Sequence, residues 1–448
     1  MNGSKIKSTF EHVNTRLSFA AIFAIALIIR LIWWGVAHFY GAYTFTTYDS
    51  SQYLQLAHNV LHHGEFSQSV SAPFYPDVVR TPGYPLWLVL FGWMSSPTGF
   101  IALVQSVIGS LVPVVVAKTA LALKLRFAGW AGLLLAVDAA LVVFTPLVLT
   151  DGLFTLLFAV WFYQMVTARS GFGWMTAALL AGVLVLIRPS GLIIPLATFV
   201  WCGVRIGWKP FSLGVGIVAL LLPFGWMLRN YTVQNTFALS TIGPNTLYLF
   251  HAAAVKAKGE DRSFNAVQSE FIENLNARFD WANDPQAISD FLAHCKRTSI
   301  SIYAQYPKAA AQVTASNLVA FIAKPPRGYF DDALGLKKGY DPVTGFQANK
   351  DLNLAQRLID NTSKVSLALS GYQFVLQLAQ TVLFALGMKS LWSVNRRLSL
   401  LIAALFAYFC LSSAITQTDA RFRLPVLPLM GLCWAAVGQK PESHPFGN

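Results

Sequence analysis

The chain has 448 residues, of which 55% are hydrophobic and only 12% are charged, against roughly 25% charged in an average soluble domain. That composition excludes a soluble protein of this length, and its long uninterrupted apolar runs exclude a barrel of short alternating strands. The formal charge of +13 is no nucleic-acid signature, because Lys and Arg fall largely in short loops between apolar runs, where basic residues set membrane topology. The expectation is an all-α integral membrane protein in a lipid bilayer. It would be a polytopic helical bundle with juxtamembrane helices on its outer face, a single membrane domain over residues 1–438.

Residues 1–16 carry Lys5, Lys7 and Arg16, which places the N-terminus on the cytoplasmic side. The first apolar run, residues 17–39, is too long for a signal-peptide core and reads as a retained span. Arg30 lies well inside it. A charge at that depth costs about 2.5–3.5 kcal/mol or more in lipid, so it must face protein or water.

An outer loop, residues 40–98, follows. From Ser50 to His63 the apolar positions are Tyr53, Leu56, Ala57, Val60 and Leu61, the spacing of a one-faced helix. It is too short to cross and would lie on the membrane surface, ended by Gly64. Asp49 stands just before it, with Gln52 three residues on, so Asp49 reads either as the helix N-cap or as a general base at the water–lipid boundary. Arg80 leads the run Arg-Thr-Pro-Gly-Tyr-Pro. It is either an arginine exposed on a turn or a guanidinium fork for a phosphate. Residues 84–94 are apolar but short, which suits a re-entrant or interfacial helix.

Further spans are expected at residues 99–121, 127–149, 151–168, 173–187, 191–203 and 211–228. Lys118, Lys124 and Arg126, then Arg169, then Arg205 and Lys209 mark the inner side. Asp151, Arg188 and Arg229 then share the outer face with Asp49 and Arg80. Asp151 suits the N-terminal end of a helix dipole, and the two arginines could snorkel to headgroups. Three outer arginines nevertheless run against the usual sidedness of basic residues, and that favours an anionic ligand for Arg80, Arg188 and Arg229. Asp138 and Arg30 read as a buried structural pair or as separate cavity contacts.

Residues 229–361 form the longest polar region. Phe264, Val267, Phe271 and Leu275 make one helical stripe, and Ile288, Phe291, Leu292, Cys295, Ile302, Tyr303 and Tyr306 make another, both expected as helices on the outer surface. Residues 308–323 read as a partial dip into the membrane and 324–350 as a loop. Spans at 364–388, 398–415 and 422–437 close the chain, for roughly ten in all by length, and residues 439–448 form a short cytoplasmic tail. The four cysteines, Cys202, Cys295, Cys410 and Cys433, have no CxxC spacing, so neither a zinc site nor a disulfide framework is indicated. His62 and His63 lack a spaced third ligand, so no metal site is expected.

Taken together, several short motifs occur in a telling order. Asp49 sits in the first outer loop and is followed by an amphipathic helix and then Arg80-Thr81-Pro82-Gly83-Tyr84. Thr150-Asp151 opens a later span, Arg229-Asn230-Tyr231 follows another, and Asp419-Ala420-Arg421-Phe422-Arg423-Leu424-Pro425 precedes the last. Over residues 17–437 this resembles the polyprenyl-phosphate-sugar-dependent glycosyltransferases of the GT-C fold, which include the protein O-mannosyltransferases and the aminoarabinose lipid A transferases. The resemblance implies a catalytic role for Asp49 and Asp151 and lipid-phosphate binding by Arg80. Tyr53, Tyr84, Asp419 and Arg421 would position substrate. It further implies a polyprenyl-phosphate-linked sugar donor and a hydroxyl acceptor on an envelope glycan, lipid or protein. No cofactor or metal would be obligatory. The location implied is the bacterial cytoplasmic membrane, with the site on the periplasmic or extracellular face. Two features depart from the family. The Asp-Glu pair of many members is Asp49-Ser50 here, and no large outer domain follows the last span, which leaves acceptor recognition to residues 229–361. The competing reading is a transporter or flippase of a lipid-linked sugar, although no internal repeat is evident. A third is a non-enzymatic assembly subunit.

Overall fold

Long helices that are apolar on every side must be buried in protein or in lipid, and this chain uses both. The structure is a computed structural model that describes residues 18–40, 45–94, 97–279, 287–334, 364–416 and 418–440. Among the described residues the regular structure is helical, with no strand.

Helix α1 (Phe19–Tyr40) leads to two short helices, α2 (Tyr48–His63) and α3 (Gly83–Val89). The bundle continues with α4 (Thr98–Ala122), α5 (Ala128–Ala136), α6 (Ala139–Phe144), α7 (Thr150–Thr167) and α8 (Gly171–Ile187). A 3-10 turn (Pro189–Leu192) enters α9 (Ile193–Ile206), and α10 (Pro210–Gln234) follows. Next come α11 (Ile242–Thr246), a π-helical stretch (Leu247–Ala252), α12 (Ala253–Gly259), α13 (Phe264–Arg278) and α14 (Ala287–Gln305). The remaining elements are α15 (Pro307–Ala323), α16 (Arg327–Ala333), α17 (Lys364–Val394), α18 (Arg396–Ala414), a 3-10 segment (Ala420–Val426) and α19 (Leu427–Ala435).

Among the described residues, six helices are long and apolar enough to cross a membrane: Phe19–Phe39, Thr98–Ala122, Pro189–Ile206, Pro210–Gln234, Lys364–Val394 and Arg396–Ala414. They make the chain an all-α, multi-pass membrane protein. Their large exposed side chains, among them Ile28, Ile32, Leu221, Phe224, Val375 and Leu378, would be an aggregation hazard in water but meet acyl chains in a bilayer.

The count falls short of the ten expected from apolar length, for identifiable reasons. The stretch expected to span at 127–149 is cut in two because Asp138 starts a new helix, its Oδ1 accepting the Leu141 N–H at 3.0 Å. The stretch at 422–437 is divided by Pro425 and Pro428, which lack backbone donors, into a 3-10 segment and the nine-residue α19. Helix α7 does form near 151–168, with Phe154, Phe158 and Trp161 fully buried in the bundle, and α8 is apolar but shorter, over Gly171–Ile187. Arg30 and Asp138 resolve as separate contacts. Arg30 Nη1 donates to the carbonyls of Ala26 (3.0 Å) and Ala136 (3.4 Å), and Asp138 Oδ2 accepts from Gln380 (3.0 Å) and Gln373 (3.4 Å) of α17.

The expected dip at 308–323 is the helix α15, which packs on α18 with Asn317 Nδ2 donating to the Ala414 carbonyl at 2.8 Å. Part of the expected 324–350 loop is helix α16, and its remainder from 335 lies outside the described residues. So do the basic residues before 18 and the tail beyond 440. Both predicted stripes are borne out in the polar region. Val267, Phe271 and Leu275 meet Phe291, Cys295 and Ile302 in a core of their own, capped by Tyr248.

Candidate functional site

The first turn of α2 decides the geometry. Thr47, not Asp49, is the N-cap. Its backbone is extended, and its N–H donates to Ser50 Oγ at 2.8 Å. Asp49 therefore sits inside the first turn, where the helix dipole favours a negative charge and both carboxylate oxygens are free for side-chain partners. Oδ1 accepts from Arg80 Nη2 at 2.6 Å and Oδ2 from Arg421 Nη2 at 2.9 Å. Gln52 is not a cap partner either, since its Oε1 accepts from Arg80 Nε at 2.8 Å. Tyr53 completes the grip, its hydroxyl accepting from Arg80 Nη1 at 3.2 Å. Positions 49, 52 and 53 share one helix face by i, i+3, i+4 spacing, and that face holds a single arginine.

The Arg80 loop is built to present it. Asp77 Oδ1 accepts the N–H groups of Val79 (3.1 Å) and Arg80 (2.8 Å), an Asx-type turn. Arg229 Nη1 donates to the Asp77 carbonyl at 2.5 Å while its guanidinium lies over Trp226 at 4.8 Å and Phe66 at 5.5 Å. Pro82 and Gly83 then turn the chain against α8. A Cβ on Gly83 would stand 2.8 Å from the Leu186 carbonyl carbon and oxygen, so only glycine permits this approach.

Two residues beyond Leu186 stands Arg188. It donates through Nη1 to Asp151 Oδ1, in the first turn of α7, where Asp151 is almost fully buried. The two ion-pair groups share a ring, because the Arg188 and Arg421 guanidiniums each lie 5.2 Å from the centre of Phe422. A second connection runs underneath. Tyr53 meets Tyr84 edge-on at 5.1 Å, and the Tyr84 hydroxyl donates to Gln105 Oε1 at 2.9 Å. Gln105 Nε2 in turn donates to the carbonyls of Thr145 (3.1 Å) and Leu147, in the turn that delivers Asp151.

Three guanidiniums thus face two carboxylates, and the cluster carries one net positive charge. Burial by itself would raise the Asp49 carboxyl, but Arg421 and Arg80 outweigh it and hold the group well below the usual carboxylate range. Burial also raises the Tyr53 phenol, against the pull of Arg80.

Of the residues singled out in the sequence, Asp49, Tyr53, Arg80, Asp151, Arg188 and Arg421 come together, with Tyr84 directly behind them. Arg229 lies on the back of the loop and reaches Arg80 only through Asp77. Asp419 caps the 3-10 segment, its Oδ1 accepting the Arg421 N–H at 3.0 Å. Gln105 and Phe422 are participants to which the sequence reading gave no role, and Gln52, read there as a capping partner, holds Arg80 instead. Gln105 carried a signal, being an amide inside an otherwise apolar span, and Phe422 lay between two arginines. Among the described residues no group of three or more His, Cys, Asp or Glu side chains gathers to hold a metal ion. Comparison with protein-family models, with curated proteins and with solved structures finds no match for this chain.

Proposed function

We propose that this protein is a GT-C-type membrane glycosyltransferase that moves a sugar from a polyprenyl-phosphate donor to an acceptor hydroxyl at the outer face of a bacterial cytoplasmic membrane. The observation that carries this reading is the Asp49 carboxylate bridging Arg80 and Arg421, one oxygen to each. Guanidiniums that hold a carboxylate in this way hold phosphate oxygens equally well. The net positive charge of the cluster suits an anionic headgroup.

The chemistry follows from an exchange of partners. A donor phosphate that takes the N–H groups of Arg80 and Arg421 releases Asp49. The carboxylate then loses the charges that made it a weak base, and its proton affinity rises. The acceptor hydroxyl gives its proton to Asp49 as its oxygen bonds to the anomeric carbon. The bond from that carbon to the phosphate oxygen breaks, and its electron pair departs on the polyprenyl phosphate. The arginines stabilise the charge that develops there. Attack from the face opposite the phosphate inverts the anomeric centre. Arg188 and Asp151, joined to the clamp through Phe422, orient the reacting groups.

The test uses the protein in nanodiscs with polyprenyl-phosphate sugars and an envelope extract as acceptor, with the product configuration read by NMR. A glycoside of inverted configuration supports the reading, and retention of the donor configuration overturns the single-displacement step. A second reading, movement of a lipid-linked sugar across the bilayer, is favoured by one observation. Asp138 stands at the break between two half-helices, α5 and α6, facing Gln373 and Gln380 of α17, as at the broken helices of transporters. Reorientation of the labelled lipid without release of polyprenyl phosphate would support that alternative.

A further inference from the structure

Between the Arg80 loop and the helices of the polar region lies a cleft of about 260 Å³, whose lining includes Val79, Thr241, Asn245, Leu275, Asn276 and Phe291. One wall is tied directly to the site. The Thr241 N–H donates to the Val78 carbonyl at 3.1 Å, and Ser240 Oγ donates to the Val79 carbonyl at 2.5 Å, one residue before Arg80. The floor is firm, because Leu275 and Phe291 belong to the buried core of the polar-region helices.

The lining has a distinct chemistry. Every side chain in it is neutral, in a chain of net charge +13 and beside a cluster of three arginines. A phosphate or carboxylate would be desolvated there with no cation to meet it. The amides of Asn245 and Asn276 have no hydrogen-bond partner among the described residues. Each offers two donors and an acceptor, which is what hydroxyl groups require, since a hydroxyl both gives and accepts. Ile272, which is exposed, and the half-buried Leu249 present apolar surface for the C–H face of a ring. The volume falls just below that of small-ligand sites, on the order of 300–1,000 Å³, which leaves room for one sugar ring.

Resting on the transferase reading, we propose that this cleft binds a neutral saccharide portion of the acceptor, so that the acceptor is a glycan presented beside the Arg80 loop. The donor headgroup and the acceptor are thereby separated by charge, the anion on the arginines and the neutral sugar on the asparagines.

The test is saturation-transfer NMR on the full chain in nanodiscs. The probes are methyl α-mannoside, methyl β-glucoside and N,N′-diacetylchitobiose, with glucose 6-phosphate as the charged control. Transfer to at least one neutral probe is expected, with affinity weakened about tenfold by Asn245→Leu and again by Asn276→Leu, and none to glucose 6-phosphate. No transfer from any neutral probe, equal transfer in the double variant, or preference for glucose 6-phosphate overturns the proposal. Donor turnover is followed separately. The double variant should raise the acceptor KM and leave acceptor-independent release of polyprenyl phosphate unchanged. Saccharide binding by a protein that turns over no donor would keep the cleft and overturn the transferase reading. Turnover with an unaltered acceptor KM in the double variant would do the reverse.

Discussion

Asp49 and Arg421 are 372 positions apart in the chain, yet Oδ2 of one lies 2.9 Å from Nη2 of the other. Arg80 holds the remaining oxygen at 2.6 Å. The first and last parts of the chain are therefore joined at a carboxylate, and its ionisation depends on both.

Asp49→Asn should abolish the transfer reaction, by about 10²–10⁴-fold in kcat if the carboxylate is the general base. Helix α2 should remain, because its cap is Thr47, while loss of both ion pairs lowers thermal stability. Circular dichroism and thermal unfolding of the two proteins in the same nanodiscs would check this, and loss of the folded helical signal at the assay temperature would instead give Asp49 a structural role.

The pH dependence has a definite sign. The folded-state value of Asp49 is depressed by Arg421 and Arg80 against the opposing effect of burial. Its ionised form therefore adds stability that is present above an ordinary carboxylate value of about 4. That contribution is lost as pH falls through the depressed folded value. For activity, the acid limb of kcat/KM due to Asp49 should lie below about pH 4. Removing one stabilising charge with Arg421→Gln should move that limb upward. A limb that stays in place in Arg421→Gln would disconnect this arginine from Asp49.

Arg421→Lys should not rescue the site. A lysine brings the charge but not the fork that reaches Asp49 while the guanidinium lies against Phe422. The expected result is a raised donor KM, close to that of Arg421→Gln. Wild-type donor affinity in the lysine variant would mean that point charge alone suffices.

Gly83→Ala places a methyl group against the Leu186 backbone, which cannot yield as a side chain would. The loop must shift away from α8, at a cost of about 1–3 kcal/mol, and Arg80 moves with it. Lower thermal stability together with a raised donor KM is expected. A stable variant with unchanged KM would show that this close approach does not set the position of Arg80.

Much of the site was legible because its residues break local rules. Asp49, Arg80, Asp151 and Arg188 are charges at the edges of apolar runs, and the Pro-Gly turn after Arg80 announced a fixed backbone. The surface stripes of α13 and α14 were readable for a similar reason, since only one of their faces is apolar. What sequence could not show was which charges meet. Arg229 looks equivalent to Arg188 along the chain, but its guanidinium is claimed by the Asp77 carbonyl and by Trp226. Asp49 looked like a cap because Gln52 stood at the right spacing, whereas the cap is two residues earlier and Gln52 holds Arg80. Fewer long apolar helices form than apolar length suggested, because Asp138 and the prolines Pro425 and Pro428 interrupt two of the runs.

The most direct measurement follows release of polyprenyl phosphate from radiolabelled polyprenyl-phosphate sugars in nanodiscs, comparing wild type with Asp49→Asn at matched donor occupancy. Release by the wild type, with donor still bound by the variant but none released, is the expected result. Equal release by both proteins would contradict a catalytic role for the carboxylate that Arg80 and Arg421 hold.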